Sequence, residues 1–167
     1  LDIEGSSWHL DGNIDIQSGT LTFMQPAAQE VDNIITGSGK LIQSAYGGLT
    51  LTGANTYSGG TQILTGDLTI KNSHALGTGA VTMGDSTAGS TTLNFGEDGL
   101  NLANNFKLND YAFFSVQPGE TSTISGIISD DATPGILYLS DGGTLVLTNA
   151  NTYTGETRID DGTLALS

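Results

Sequence analysis

A stretch of 22 residues occurs twice in this chain, and this internal repeat constrains the fold more than any other feature. The first copy, residues 49–70, reads LTLTGANTYSGGTQILTGDLTI, and the second, residues 145–166, reads LVLTNANTYTGETRIDDGTLAL. They align without a gap at an offset of 96 residues, and 12 of the 22 positions are identical. With their flanking turn residues, the units span 48–70 and 143–166, and a partial unit spans 12–23. Repetition on this scale predicts one domain, 1–167, built from stacked units.

Each full copy contains two short arms in which apolar and polar residues alternate. In the first copy, Leu49 and Leu51 flank Thr50, and Leu68 and Ile70 flank Thr69. A period of two is typical of strands with one buried face. The Asn, Gly and small polar residues between the arms favour turns. Because no window keeps the apolar spacing of a helix, the sequence predicts an all-β fold.

The way in which the strands are arranged follows from the repeat. Short strands and glycine-rich turns also fit a sandwich or a barrel. However, one unit cannot bury its apolar face alone, and stacking copies covers it. We therefore predict a right-handed parallel β-helix of about seven or eight coils, with Leu, Ile and Val inside and Thr and Asp outside. The offset between copies corresponds to four coils of about 24 residues or five of about 19, which predicts equivalent bends.

The end of the chain and its composition limit the context of the fold. Ser167 directly follows a strand, so we expect a fragment of a longer solenoid. The net charge is −14, from 18 acidic and 4 basic residues, which excludes a nucleic-acid partner and disfavours an anionic membrane surface. There is no cysteine, and no apolar run approaches the roughly 18 residues of a membrane helix, so we expect no thiol chemistry and no membrane insertion.

The repeat resembles the passenger-associated transport repeat of autotransporter proteins. The shared pattern is L-x-L-T-G-x-N-T-Y-[ST]-G-x-T-x-I-x-x-G-x-L, and the second copy departs from it with Asn149 in place of the first glycine. The residues of this chain that carry the motif are Asn55, Thr56, Tyr57, Gly59, Thr61 and Gly66 in the first copy and Asn151, Thr152, Tyr153, Gly155, Thr157 and Gly162 in the second.

The resemblance implies a function as well as a fold. It implies an extracellular stalk that is secreted by the parent protein's own C-terminal β-barrel and stays at the surface of a Gram-negative bacterium. The repeat is associated in that family with translocation and folding. Family functions are adhesion, self-aggregation and biofilm formation, so the implied partners are further copies, host surfaces or matrix components. We expect a non-enzymatic segment without a cofactor.

Within the motif, each residue type favours a particular position at a turn. Asn55 and Gly59, like Asn151 and Gly155, suit a tight corner with positive φ. We expect Tyr57 and Tyr153 to lie over this corner as a packing lid, with sugar stacking as the alternative role.

Histidine chemistry is poorly represented in the sequence. The pattern G-x-S-x-G is absent, and the two histidines, His9 beside Trp8 and His74 in a polar turn, have no companion motif. We therefore expect both to be surface or turn residues and predict no histidine-based active site.

Carboxylate pairs offer a second candidate function, because polysaccharide-processing β-helix enzymes, lyases or glycosidases, place Asp and Glu in a surface groove. The candidate doublets are Glu97-Asp98, Asp130-Asp131 and Asp160-Asp161. Neighbouring residues of a strand point to opposite faces, so a doublet forms a site only within a turn. Since each doublet lies near Gly or Pro, we expect solvated turn residues.

A calcium loop is the remaining candidate. Residues 11–15, DGNID, begin like an EF-hand loop, but Ile16 stands at the glycine position and Thr22 at the final glutamate position. The sequence therefore predicts no metal site.

Overall fold

The computed structural model describes residues 2–3, 11–44, 46–84 and 90–167, and within these ranges it contains nineteen β-strands and no helix. Every strand pairing in the described part is parallel. The predicted all-β parallel architecture is thus confirmed. In chain order the strands are β1 (Asp2–Ile3), β2 (Ile14–Ile16), β3 (Thr20–Phe23), β4 (Gln29–Val31), β5 (Ile35–Gly37), β6 (Lys40–Ser44), β7 (Leu49–Leu51), β8 (Thr61–Ile70), β9 (Val81–Met83), β10 (Thr91–Phe95), β11 (Asn101–Leu102), β12 (Phe106–Leu108), β13 (Tyr111–Val116), β14 (Thr121–Ile124), β15 (Ile128–Asp130), β16 (Ile136–Ser140), β17 (Thr144–Leu147), β18 (Thr157–Ile159) and β19 (Thr163–Leu166).

The strands form a β-helix with three faces. The first face contains β1, β3, β6, the first part of β8, β9, β12 and β15. The second face contains β4, β7, the last part of β8, β10, β13, β16 and β18. The third face contains β2 and β5 at one end and β11, β14, β17 and β19 at the other. The chain passes through the three faces in turn, on some coils through a segment with no assigned strand, and winds through about seven coils.

Backbone hydrogen bonds keep the third face continuous where no strand is assigned. Thr56 N donates to Ile35 O at 2.8 Å, and Thr78 N donates to Tyr57 O at 2.9 Å. Each of these bonds joins a residue to its equivalent one coil earlier. Parallel stacking therefore satisfies the backbone even in the turns, as buried polar groups require.

The core is a set of vertical apolar columns. Buried and less buried residues alternate along the strands, as in β7, where Leu49 and Leu51 are buried around a half-buried Thr50. The column that starts at Leu49 continues through Leu68, Leu93, Phe114 and Leu139 on successive coils. The inward stacking of aliphatic residues predicted from the period-two pattern is confirmed, and this contiguous apolar packing is the main source of stability.

The two copies of the repeat lie on different faces, so the prediction of equivalent bends is wrong. Leu49 belongs to the second face, whereas its counterpart Leu145 belongs to the third. Four coils separate Leu49 from Leu139 in its column, and the chain then crosses to the next face before it reaches Leu145. The offset is four coils plus one face. It need not be a whole number of coils, because the register between consecutive coils ranges from 19 residues (Leu49 to Leu68) to 25 (Gly66 to Thr91).

Candidate functional site

The first copy of the motif forms a corner, residues 53–61, in which Asn55 connects three coils. Its Oδ1 accepts a hydrogen bond from Ile35 N at 2.8 Å, on the preceding coil, and its Nδ2 donates to Ala75 O at 2.7 Å, on the following coil. Asn55 is 1% exposed. In a dry environment such bonds are strong, and losing either partner leaves a buried polar group unpaired. Asn55 therefore acts as a clamp between coils.

Tyr57 lies inside this first corner. Its ring is fully buried, and its hydroxyl is 2.5 Å from Thr61 Oγ1, which in turn donates to Leu76 O of the following coil at 3.1 Å. Burial raises the pKa of the Tyr57 phenol well above its ordinary value, so it stays neutral. The prediction of a lid is wrong for Tyr57, which belongs to the core. Thr61 is buried as well, an exception to the prediction that threonines point outward.

The asparagine and the first glycine shared by the two copies of the motif do not have the positive φ that the sequence predicted. Neither Asn55 nor Asn151, and neither Gly59 nor Gly155, has positive φ; within the motif the left-handed residues are Gly60, Gly66 and Gly162. The asparagines are required for their hydrogen bonds.

Gly59 and Gly155 are required for space. A Cβ on Gly59 would lie 2.5 Å from Gly39 O, and a Cβ on Gly155 would overlap Gly135 O. In both corners the backbone of the preceding coil approaches too closely for a side chain.

The second copy, residues 149–157, repeats the local contacts of the first corner at a different edge of the β-helix. Asn151 Oδ1 accepts from Ile128 N at 2.8 Å, Thr152 N donates to Ile128 O at 2.8 Å, and the Tyr153 hydroxyl is 2.6 Å from Thr157 Oγ1. These contacts repeat those of the first corner with its preceding coil. Within the described residues no coil follows the second corner, and Tyr153 is only partly buried. Each copy of the motif therefore forms the same hydrogen bond with the preceding coil through its asparagine.

One partner of the corner backbone differs between the two copies. In the first corner, Ser58 N donates to a backbone oxygen, Gly37 O, at 3.0 Å. In the second, Thr154 N and its hydroxyl both donate to the Asp130 carboxylate, with distances to Oδ2 of 3.0 and 2.7 Å. The N–H of Gly135 and the Thr154 hydroxyl hold the pKa of Asp130 below its usual value.

The carboxylate doublets lie outside the strands, except that Asp130 is the last residue of β15 and not a turn residue. Asp131 pairs with Lys107 at 3.4 Å, and Asp98 accepts from Thr121 N at 2.8 Å. Asp161 accepts from Gly162 N at 2.8 Å. The contacts of Asp98, Asp130 and Asp131 join neighbouring coils, whereas that of Asp161 stays within its own turn. An Asp130 whose pKa is lowered is unsuited to donating a proton.

The histidines and the calcium-like loop complete the candidates. His74 lies in a turn, where its backbone oxygen accepts from Asn55 N at 3.2 Å, while His9 and Trp8 lie outside the described residues. The part of the chain that the structure describes contains no group of three or more His, Asp or Glu placed to hold a metal ion. In the same part, no helix is long and apolar enough to cross a membrane.

A cluster of outward-facing aromatic residues was missed by the sequence analysis. Tyr111, Phe113 and Tyr138 project outward from β13 and β16, on the second face, and the two preceding coils carry Thr92 and Asp67 at the position of Phe113. The signal was present in the run YAFFSV, where Tyr111 and Phe113 alternate with the buried Ala112 and Phe114.

Comparisons with known proteins connect this geometry to a family. The family described as passenger-associated-transport-repeat matches residues 46–70 and 137–166, which contain both corners. The chain is also similar to the adhesin BmaC autotransporter of Brucella suis biovar 1 (strain 1330), with 33% identity over 138 residues. That alignment covers 82% of this chain and 4% of the relative's length. No solved structure matches the chain.

Proposed function

Because this chain belongs to the autotransporter passengers that carry passenger-associated transport repeats, we propose that it is a non-enzymatic, adhesive stalk segment whose two corners promote folding coil by coil. In this proposal the parent protein is secreted by its own C-terminal β-barrel and holds the segment at the cell surface. The partners are further copies, which would give self-aggregation and biofilm formation, or host surface and matrix components.

The observation that carries the folding role is the double clamp of the first corner. Asn55 uses its acceptor on the coil that precedes it and its donor on the coil that follows it. A newly added coil can therefore align on a formed neighbour through one side chain, before the next coil is in place. This order matters for a parallel solenoid, because each coil buries its apolar face only against its neighbours.

The second corner supports the same role. Its asparagine still accepts a hydrogen bond from the preceding coil, although no described coil follows it. Asn151 and Tyr153 already make their hydrogen bonds to Ile128 and Thr157. The clamp on one coil therefore does not depend on the next.

Refolding kinetics test the folding role. We expect Asn55→Ala and Asn151→Ala to slow refolding of the segment after dilution from urea, because the clamp aligns coils in the transition state. The matched control is Asn149→Ala, which removes two exposed hydrogen bonds, from Nδ2 to Ser125 O at 3.2 Å and from Ala150 N to Oδ1 at 2.9 Å. Variants that refold at the wild-type rate and only unfold faster would show that the clamps act after the rate-limiting step.

Display on beads tests the adhesive role. The relative's printed name describes an adhesin, and the segment presents long parallel faces on which many weak contacts can add up. We expect beads coated with the segment to clump or to attach to host matrix. If neither occurs, the adhesive part lies elsewhere and this segment is a spacer or folding module.

A further inference from the structure

The exposed aromatic residues form a defined patch on the second face. We call Tyr111, Phe113, Ile136 and Tyr138 the aromatic island; they occupy two neighbouring outward positions on two successive coils, since Tyr111 pairs with Ile136 and Phe113 with Tyr138. The rings of Phe113 and Tyr138 are stacked, with centroids 4.5 Å apart and planes 18° apart. Exposed apolar patches with a polar rim often mark interaction surfaces.

One ring of the island is open to a ligand. Tyr138 is 8% exposed because Phe113 covers it on one coil and Arg158 on the next, whereas Tyr111 is 51% exposed. The Tyr111 ring is tilted by 47° from Tyr138, with centroids 5.8 Å apart. Its packing against Tyr138 positions the ring and leaves the rest of it in solvent.

The structure already places a guanidinium on this island. The guanidinium carbon of Arg158 lies 5.4 Å from the centroid of the Tyr138 ring, within the range of a cation–π interaction. Arg158 Nη1 donates to the Tyr138 hydroxyl at 2.9 Å, and its other nitrogen pairs with Glu156 at 2.8 Å. A ring of the island with a carboxylate beside it therefore accommodates a cation.

The surroundings of the island are acidic. Asp110 directly precedes Tyr111, and Glu156 and Asp160 flank Arg158 on the coil of β18. Asp67 lies two coils before Phe113 in the same column, with Thr92 between them. The whole chain carries a net charge of −14. Two copies that met face to face here would bring like charges together, and an anionic glycan would be repelled. A positively charged partner is complementary to both the rings and the rim.

We propose that the aromatic island binds an extended segment of a partner protein through its arginine or lysine side chains, with Tyr111 as the principal contact. This names a ligand class for the adhesive role proposed above. The island takes the cation on the face of Tyr111, and the neighbouring carboxylates attract it and keep it oriented. The two proposals can fail separately: a segment that binds such a peptide but holds no cell or matrix contradicts the adhesive role alone.

Fluorescence anisotropy with a defined probe tests this inference. The probe is a labelled, acetylated and amidated peptide of alternating glycine and arginine with three arginines, measured against the whole segment at about 20 mM salt, where screening is weak. We expect Tyr111→Ser to weaken binding about two- to five-fold, the loss of one exposed cation–π contact. Tyr111→Trp should retain or strengthen it, because Trp is the best partner for a cation.

The matched control is Tyr46→Ser, which removes another exposed tyrosine, 84% exposed, without changing the net charge. A second probe with citrulline in place of arginine keeps the shape and removes the charge, and it should not bind. Equal effects of Tyr111→Ser and Tyr46→Ser, or equal binding of the citrulline peptide, would overturn the proposal. The proposal would also be overturned if Tyr111→Ser abolished the binding of a neutral glycan, or dimer formation in sedimentation, but left binding of the arginine peptide unchanged.

Discussion

The two corners of the chain have the same motif and, apart from the partners of Ser58 and Thr154, the same contacts with the preceding coil, but different surroundings. In the first corner, Asn55 and Tyr57 are enclosed between two coils, with 1% and 0% of their surfaces exposed. In the second, Asn151 and Tyr153 contact one coil within the described residues and are half-buried. The hydrogen bonds of the asparagine and tyrosine are nevertheless repeated, although Gly60 has positive φ and its counterpart Glu156 does not, so the motif and one neighbouring coil are sufficient to specify these contacts.

The difference lies in what the following coil adds. In the first corner it supplies an acceptor to each of two side chains, Ala75 O for Asn55 and Leu76 O for Thr61, and it closes the core over Tyr57. Enclosure turns a locally specified bend into a buried polar network, whose disruption costs more than that of an exposed one. Matched substitutions in the two corners can therefore separate what the motif contributes from what enclosure contributes.

The largest expected effect is the loss of the buried tyrosine. Tyr57→Ala leaves a cavity in the core and should lower the free energy of unfolding by about 3–5 kcal/mol. Tyr153→Ala should cost less than about 2 kcal/mol, because part of its ring is already in water. Urea unfolding of both variants measures the difference. Equal losses would mean that the following coil contributes nothing to the enclosure of Tyr57.

The second prediction separates the two halves of the asparagine clamp. In Asn55→Asp the carboxylate still accepts from Ile35 N but cannot donate to Ala75 O, and it places a charge in the core. We expect a loss of about 3 kcal/mol or more in the free energy of unfolding at pH 7. Asn151→Asp keeps its bond from Ile128 N and is partly solvated, so it should cost less than about 1 kcal/mol. Similar losses at both positions, measured by urea unfolding, would contradict the bridging role of Asn55.

Much of the fold could be predicted from the sequence because its information is local. Alternation in arms such as 49–51 specifies a strand with one buried face, and the repeat requires stacking. The face on which each copy lies could not be predicted, since it depends on the lengths of the intervening turns. For the same reason the roles of Asn55 and Gly59 were misassigned: both residues suit positive φ, and only the structure brings Ile35 and Gly39, 20 residues earlier, against them.

The aromatic island shows a further limit of sequence reasoning. The run 111–116 contains aromatic residues at both inward and outward positions, so its alternation does not mark an outward-facing cluster. Only the register of β13 with β16 shows that Phe113 and Tyr138 share the outer surface. An outward aromatic residue becomes a surface feature through its cross-strand neighbours, which are distant in sequence.

The third prediction concerns the stability of the segment at alkaline pH, which depends on the burial of Tyr57. Because burial raises the pKa of its phenol in the folded state, the stabilisation by neutral Tyr57 is fully present below the unfolded-state value of about 10 and is lost as the pH rises above it. We expect the free energy of unfolding of the wild-type segment to fall between about pH 10 and pH 12. Tyr57→Phe should lose less over the same interval. Parallel curves for the two proteins would show that Tyr57 ionises equally in the folded and unfolded states.

The smallest expected effect is confined to the second corner, where a carboxylate replaces the backbone oxygen of the first. The folded-state pKa of Asp130 is lowered, so its stabilisation is present above the unfolded-state value of about 3.9 and is lost as the pH falls through the lower folded-state value. We expect the amide proton of Thr154 to lose protection from hydrogen exchange at acidic pH, after correction for intrinsic rates. The amide of Ser58, bound to Gly37 O, should keep its protection. In Asp130→Asn the protection of Thr154 should become independent of pH, because no carboxylate remains to be protonated. If Thr154 and Ser58 respond to acid alike, the carboxylate is not what distinguishes the two corners.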